Sequence, residues 1–271
     1  MLHYMQKKKI RAPFKSLDLT NAHLSPGKLR LLLATLPKST EELKLGRRSF
    51  IRDVVSQFLG SLGDSGQNGT ESYVASLRSL WLQECLDDEK VLQLFPLLPL
   101  GLEELNLGWN YRMGRAGWEA LGERLKSLEG LKRLDLSGCM LNDGKVLQLF
   151  PSLPRGLEEL NLRDNEAISL AGWEALGARV KSLEKLKKLV LTHGGLDEEK
   201  ALQLFPSLPL GLEQLNLQCN GAISLAGWEA LGTRLKSLEK LKRLVVTHCG
   251  LGNQEVTPFF SSLPIGLIRF Y

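Results

Sequence analysis

Cysteine is scarce in this chain of 271 residues: Cys85, Cys139, Cys219 and Cys249 are all it has, too few for a disulfide scaffold. Long apolar runs are missing too. None approaches the roughly 18 residues of a membrane-spanning helix. The opening ten residues hold a basic cluster with no apolar stretch behind it, unlike a secretory signal. Charge of one sign is not dominant: 35 Lys and Arg face 30 Asp and Glu, a net charge of +5. The basic residues are interleaved with glutamates and lack an aromatic stacking platform, which argues against nucleic acid as partner. There is no Gly-x-x-x-x-Gly-Lys-Ser/Thr loop, Gly-x-Ser-x-Gly elbow or Cys-x-x-Cys pair. The 26 glycines therefore read as turns between repeats. These absences point to a cytoplasmic protein without membrane segments, cofactor or metal.

What is abundant is leucine, 61 residues in all, and it is periodic. The phrase Val-Leu-Gln-Leu-Phe-Pro-Leu-Leu-Pro at 91–99 returns with small changes at 146–154 and 201–209, and loosely at 256–264, always 55 residues on. Trp118, Trp173 and Trp228 keep the same interval within Ala-Gly-Trp-Glu-Ala-Leu-Gly. Each 55-residue unit holds two copies of Leu-x-x-Leu-x-Leu. They start at Leu77, Leu102, Leu131, Leu157, Leu186, Leu212 and Leu241, with weaker copies at Phe14 and Thr40 and a last one at Leu267. From Leu102 the steps alternate 29 and 26, so a longer repeat is followed by a shorter one.

With the first leucine of each copy as position 1, side-chain alternation sends positions 4 and 6 into a core and positions 3, 5 and 7 outward. Position 9 alternates Cys85, Asn110, Cys139, Asn165, Gly194, Asn220, Cys249. An asparagine there can satisfy backbone groups where the chain leaves the strand; a cysteine or glycine fits a tight space, and the cysteine is a reduced thiol. An amphipathic stripe predicts a helix over 169–185, with Gly122, Gly177 and Gly232 allowing close approach of a neighbouring helix. A briefer helix is expected over 142–150, with acidic first turns in such short helices and Pro96, Pro151 or Pro206 as the stop. One strand and one helix per repeat of 20–29 residues make an α/β solenoid, a horseshoe with a parallel sheet on its concave face and helices outside.

Alternating units with Asn and Cys at position 9 resemble the ribonuclease-inhibitor-like class of leucine-rich repeat proteins, which includes repeat arrays of intracellular immune receptors. The resemblance covers roughly 14–271, as about nine full repeats and a truncated tenth after a basic segment, 1–13. Gly194 departs from the expected cysteine. The resemblance implies recognition of a protein on the concave face and supplies no catalytic residue. Its alternatives are a GTPase-activating protein of the Ran type, although this chain ends without the usual acidic tail, and the sensor fragment of a nucleotide-binding immune receptor. Two edges stand out. The step from Thr40 to Leu77 is 37, and the excess falls in a Gly- and Ser-rich insertion near 60–71. The sequence also stops inside the tenth strand, an uncapped edge open to association.

Position 2 alternates Glu103, Lys132, Glu158, Lys187, Glu213, Lys242, and position 3 reads Glu104, Arg133, Glu159, Lys188, Gln214, Arg243. Parallel strands about 4.8 Å apart turn both columns into a cross-strand ladder of ion pairs. Position 8 reads Glu84, Trp109, Gly138, Asp164, His193, Cys219, His248. Its histidines, about two strand spacings apart, arise by duplication, which favours rim residues over a zinc or nucleophile set. The expected partner contacts are Trp81, Asn106, Asp135, Asn161 and Arg163 on the concave face, Trp109 at its rim, and His193 and His248 as rim contributors. Exposed tryptophans anchor interfaces, whereas Trp118, Trp173 and Trp228 belong to the core.

Overall fold

A computed structural model describes residues 15–34, 36–37, 39–47, 76–251, 259, 261, 263–264, 266–267 and 269–270. The basic segment 1–13 and the insertion near 60–71 lie outside the described residues. Among the described residues ten strands form one parallel sheet in sequence order: β1 Ser16–Leu19, β2 Glu42–Gly46, β3 Ser79–Gln83, β4 Glu104–Asn106, β5 Arg133–Asp135, β6 Glu159–Asn161, β7 Lys188–Val190, β8 Gln214–Asn216, β9 Arg243–Val245 and β10 Arg269–Phe270. The register pairs like with like. Glu104 sits opposite Arg133, and Asn106 opposite Asp135.

The helices among the described residues are α1 Pro26–Ala34, α2 Asp88–Leu94, α3 Arg115–Leu125, α4 Asp143–Leu149, α5 Leu170–Val180, α6 Glu198–Leu204 and α7 Leu225–Leu235. The 169–185 and 142–150 expectations are α5 and α4, each shorter at its ends. The prolines act differently from a plain stop. Pro96, Pro151 and Pro206 sit inside one-turn 3₁₀ segments, Phe95–Leu97, Phe150–Ser152 and Phe205–Ser207, where a missing N–H is harmless in the first turn.

Leucines at positions 1, 4 and 6 lie in one continuous core with Trp118, Trp173 and Trp228. All three tryptophans are buried, and burial of each such ring contributes about 3 kcal/mol. Two of the glycines expected to admit a neighbour do so: a Cβ on Gly122 or Gly177 would stand 3.2 Å from the carbonyl of Gln148 or Gln203 on the adjoining short helix.

Polar ties join each short repeat to the long repeat after it. Buried Asn110 accepts at Oδ1 from the N–H groups of Cys85 (2.9 Å) and Leu86 (2.8 Å), and donates through Nδ2 to the carbonyls of Leu82 and Leu107. Asn165 takes the N–H of Leu141 at 3.0 Å and bonds the carbonyls of Leu136 and Leu162. Asn220 repeats the arrangement with Gly194 and Leu196. The role expected of position 9 is thus filled on the preceding repeat as well as on its own. Arg124, Arg179 and Arg234 reach back to the carbonyls of Leu98, Leu153 and Leu208. Of the acids expected to stabilise their own short helices, Asp87 and Asp197 do so, accepting from the N–H groups of Lys90 and Lys200, while others in the first turns reach the start of the next long helix. Asp88 Oδ1 accepts from Gly114 N–H at 2.7 Å, Asp143 from Ser169 N–H at 3.0 Å, and Glu198 from the Ser224 hydroxyl at 2.6 Å.

Gly194 follows from its surroundings. A Cβ there would stand 2.9 Å from the Leu191 carbonyl and 3.3 Å from the Trp173 ring. The other position-9 thiols are free and buried. Cys139 Sγ lies 3.2 Å from the Leu107 carbonyl, and burial pushes its thiol up to about 12; burial likewise raises Cys85 and Cys249. These thiols stay protonated and poorly nucleophilic.

Candidate functional site

The concave face is built from the outward positions of β3 to β7, which form an open groove of about 190 Å³ lined by residues including Trp81, Asn106, Asp135, Asn161 and Val190. Position 5 carries a second duty. Its short polar side chains accept from the N–H two residues on: Asn106 Oδ1 from Gly108 (2.9 Å), Asp135 Oδ1 from Ser137 (2.9 Å), Asn161 Oδ1 from Arg163 (3.1 Å) and Asn216 Oδ1 from Gln218 (2.9 Å). Such local bonds terminate a strand, and they explain why Asn and Asp recur there. Asn161 Nδ2 then donates to Asp135 Oδ2 at 2.9 Å, and Gln83 to Asn106 at 3.2 Å, so the row is linked across strands.

One expected contact is largely covered: Asn106 is only 5% exposed, held by Gln83 and Gly108. Asp135 and Asn161 remain half-buried, with part of each side chain facing the groove. Arg163 is exposed, its Nε 2.9 Å from Asp164. Trp81 lies half-buried on the concave face. Lys44 Nζ sits 3.9 Å from its ring centroid, and its indole N–H donates to Glu104 at 3.2 Å. A cation over one ring face and a carboxylate at its edge fix the indole, leaving the remainder as a preset apolar element of the groove.

The charged columns pair in a definite phase. Lys132 meets Glu103 at 2.7 Å, Lys187 meets Glu158 at 2.6 Å, and Lys242 meets Glu213 at 2.6 Å; Arg133 meets Glu104 at 2.9 Å and Lys188 meets Glu159 at 3.0 Å. Each of these bridges joins a long repeat to the short repeat that follows; at the start of the position-2 column Glu103 also lies 3.8 Å from Arg78 of the preceding repeat, and beyond it the columns form separate pairs where a continuous ladder was expected. The lysine bonded to each of Glu103, Glu158 and Glu213 lowers its pKa below the ordinary carboxylate range. In the same way the Glu104 carboxylate raises Arg133.

Position 8 has a backbone reason for its mixed chemistry. Glu84, Trp109, Gly138, Asp164, His193, Cys219 and His248 all have φ between 49° and 63°. Here the chain turns off the strand through the left-handed region, which costs a non-glycine residue roughly 1–2 kcal/mol. Their side chains splay along the rim. His193 Nδ1 lies 3.7 Å from Glu166, and His248 is exposed. Among the described residues no three His, Cys, Asp or Glu side chains gather into a metal-binding group. Trp109 is 44% exposed at this rim, its ring lying over Gly138, where a Cβ would come within 2.5 Å of it. Beside Trp109, which was expected at this rim, stand Tyr111 and Met140, which were not, exposed at 44% and 63%. The signal was available: the other copies carry Glu166 or Gly221, and Gly195 or Gly250, at those places.

These features define a leucine-rich repeat solenoid with helices on its convex side. No family model matches the sequence. The chain is similar in structure to the leucine-rich repeat-containing protein LegL7 from Legionella pneumophila, with a TM-score of 0.61 and 19% identity over 97% of this chain and 85% of that one. Looser likenesses are to the yeast Rad7 and Elc1 complex (TM-score 0.46, 14% identity, 96% of this chain and 76% of that one) and to the tropomodulin C-terminal domain of Caenorhabditis elegans (TM-score 0.43, 12% identity, 66% and 92%). The first of these likenesses establishes the leucine-rich repeat fold. No helix among the described residues is long and apolar enough to cross a membrane.

Proposed function

We propose that this chain is a non-catalytic protein-interaction module, active in a reducing compartment, whose protein partner engages the concave face and its rim. The supporting observation is the pinned row on that face: Trp81 held between Lys44 and Glu104, and Asn161 bonded to Asp135. Side chains already fixed by their neighbours lose little freedom on binding, which favours affinity from a modest area. The carboxylates of the charged columns are bonded to lysine or arginine, a state suited to recognition by shape and hydrogen bonding more than to proton transfer.

The test is affinity capture from the source cell, comparing the chain with a Trp81→Ala/Arg163→Ala variant that keeps the same circular dichroism. A protein retained by the parent and lost from the variant supports the concave face. Equal capture by both sinks that placement. Accelerated GTP hydrolysis by a small GTPase on adding the chain would overturn the non-catalytic reading and favour the activating-protein alternative.

A further inference from the structure

The segments 102–156, 157–211 and 212–266 are three copies of one unit, so each serves as a control for the others. Whatever the fold requires should recur, and the core leucines, the tryptophan and the position-9 asparagine do. The first copy departs from both others most conspicuously at the rim. Trp109 stands where they have Asp164 and Cys219; Tyr111 where they have Glu166 and Gly221; Arg112 where both have alanine; and Met140 where both have glycine. The substitutions are coupled in space. Gly138 replaces the histidines of the other copies, and the Trp109 ring occupies the room where a Cβ would stand.

Two of these residues sit on backbone ill suited to them. Trp109 has φ 63° and Met140 φ 49°, a region that bulky side chains avoid. Glycine fills Met140's place in both other copies, at φ 63° and 70°. Large apolar side chains kept exposed on unfavourable backbone, where sister copies show that the fold accepts small or polar ones, mark a function and not a packing need.

The polar groups around the patch select its occupant. The Arg112 guanidinium lies 5.9 Å from the Tyr111 ring centroid and forms no ion pair among the described residues. The loop 108–115 holds two arginines and no acid, whereas its counterpart 163–170 holds two acids and one arginine. Nearby carboxylates are engaged: Asp88 holds the start of α3 and Asp164 pairs with Arg163. Glu84, one strand toward the N-terminus, is the acid an incoming anion must pass.

We infer that Trp109, Tyr111 and Met140, with Arg112, form a docking site for an acidic peptide segment of a protein partner. An aliphatic or aromatic residue of that segment would seat on the apolar patch, and a flanking carboxylate on Arg112. The inference rests on the protein-binding reading above and adds the chemistry of the segment that is read at the rim.

A library of random 12-residue peptides displayed on phage, selected on the full chain, tests it. The expected winners share a Phe, Leu or Met flanked by Asp or Glu. Their synthetic forms bind Trp109→Gly/Met140→Gly and, separately, Arg112→Glu at least tenfold more weakly, and Glu84→Gln more tightly. Glycine suits both backbone positions, so the double variant should melt no lower than the parent. Winners without acidic bias, or binding both variants as well as the parent, overturn the inference. Peptides lost only with Trp81→Ala/Arg163→Ala overturn the rim site while leaving the concave-face reading standing. A selection that enriches nothing counts against the rim site, and the lysate capture still decides the concave face on its own.

Discussion

The segments 102–156 and 157–211 share their leucine framework and much of their helices yet present different surfaces. The first offers Trp109, Tyr111, Arg112 and Met140 at the rim, with Asp135 in the groove. The second offers Asp164, Glu166, Ala167 and Gly195, with Val190 in Asp135's place. Duplication fixes what must pack, and the residues free to drift are those whose side chains leave the scaffold. The difference separates fold from function without any outside sequence. Two rim positions go further, because the first segment accepts unfavourable backbone to display Trp109 and Met140.

The largest expected effect breaks what the two segments share. Asn110→Ala and Asn165→Ala should each cost at least about 3 kcal/mol, since buried N–H and C=O groups of two repeats lose their partners together. The two should cost alike, since each side chain makes four such bonds. Urea denaturation midpoints give the comparison, and equal midpoints for variant and parent would refute it. Next comes a reciprocal exchange. Met140→Gly should raise stability by about 1 kcal/mol through relief of the left-handed backbone. Gly195→Met should lower it by more, as its Cβ would meet the Glu166 carbonyl at 2.9 Å.

A smaller difference concerns the indoles. Trp118 Nε1 donates to the Met113 carbonyl at 3.1 Å, whereas Trp173 Nε1 has no partner among the described residues. Both Phe substitutions lose volume, but Trp118→Phe should cost about 1 kcal/mol more. Thermal melts of the two variants side by side would show it. The smallest effect lies in the charged columns. Glu103 and Glu158 have lowered pKa values in the fold, so the unfolded chain takes up their protons first as pH falls. Their contribution is present above the unfolded carboxylate range and is lost as pH drops through the folded values. For such exposed pairs it should stay below about 1 kcal/mol in each segment and shrink in high salt. Carboxyl titration by NMR, with and without 1 M salt, measures both shifts.

The strand columns, the buried tryptophans and the role of Asn110, Asn165 and Asn220 were legible in the sequence, because core packing and turn chemistry constrain residue type at fixed spacing. The left-handed row was not. Glu84, Trp109, Asp164, His193 and Cys219 share a φ value and no side-chain property, so periodicity shows the row without its reason. Nor could Arg124, Arg179 and Arg234 be assigned, since an arginine in a last helical turn already has a satisfactory explanation in the helix dipole. The low exposure of Asn106 was not legible either, because strand alternation tells which way a residue points, while its local bonds decide how much of it stays exposed. The ion pairs were foreseen, but their phase depends on which of two neighbours a lysine leans toward, which the alternation of charge along the column does not tell.

That phase has a mechanical consequence. Within the central units, the buried asparagine ties and the arginine and acid ties beside them all fasten a short repeat to the long one after it, and the next junction carries exposed ion pairs and a weak thiol contact such as that of Cys139 with the Leu107 carbonyl. An array pulled by its ends should therefore part first at the long-to-short junctions, which recur every 55 residues. Each rupture would release a tethered length of roughly 190 Å, giving a force trace with evenly spaced steps that a uniform solenoid would lack.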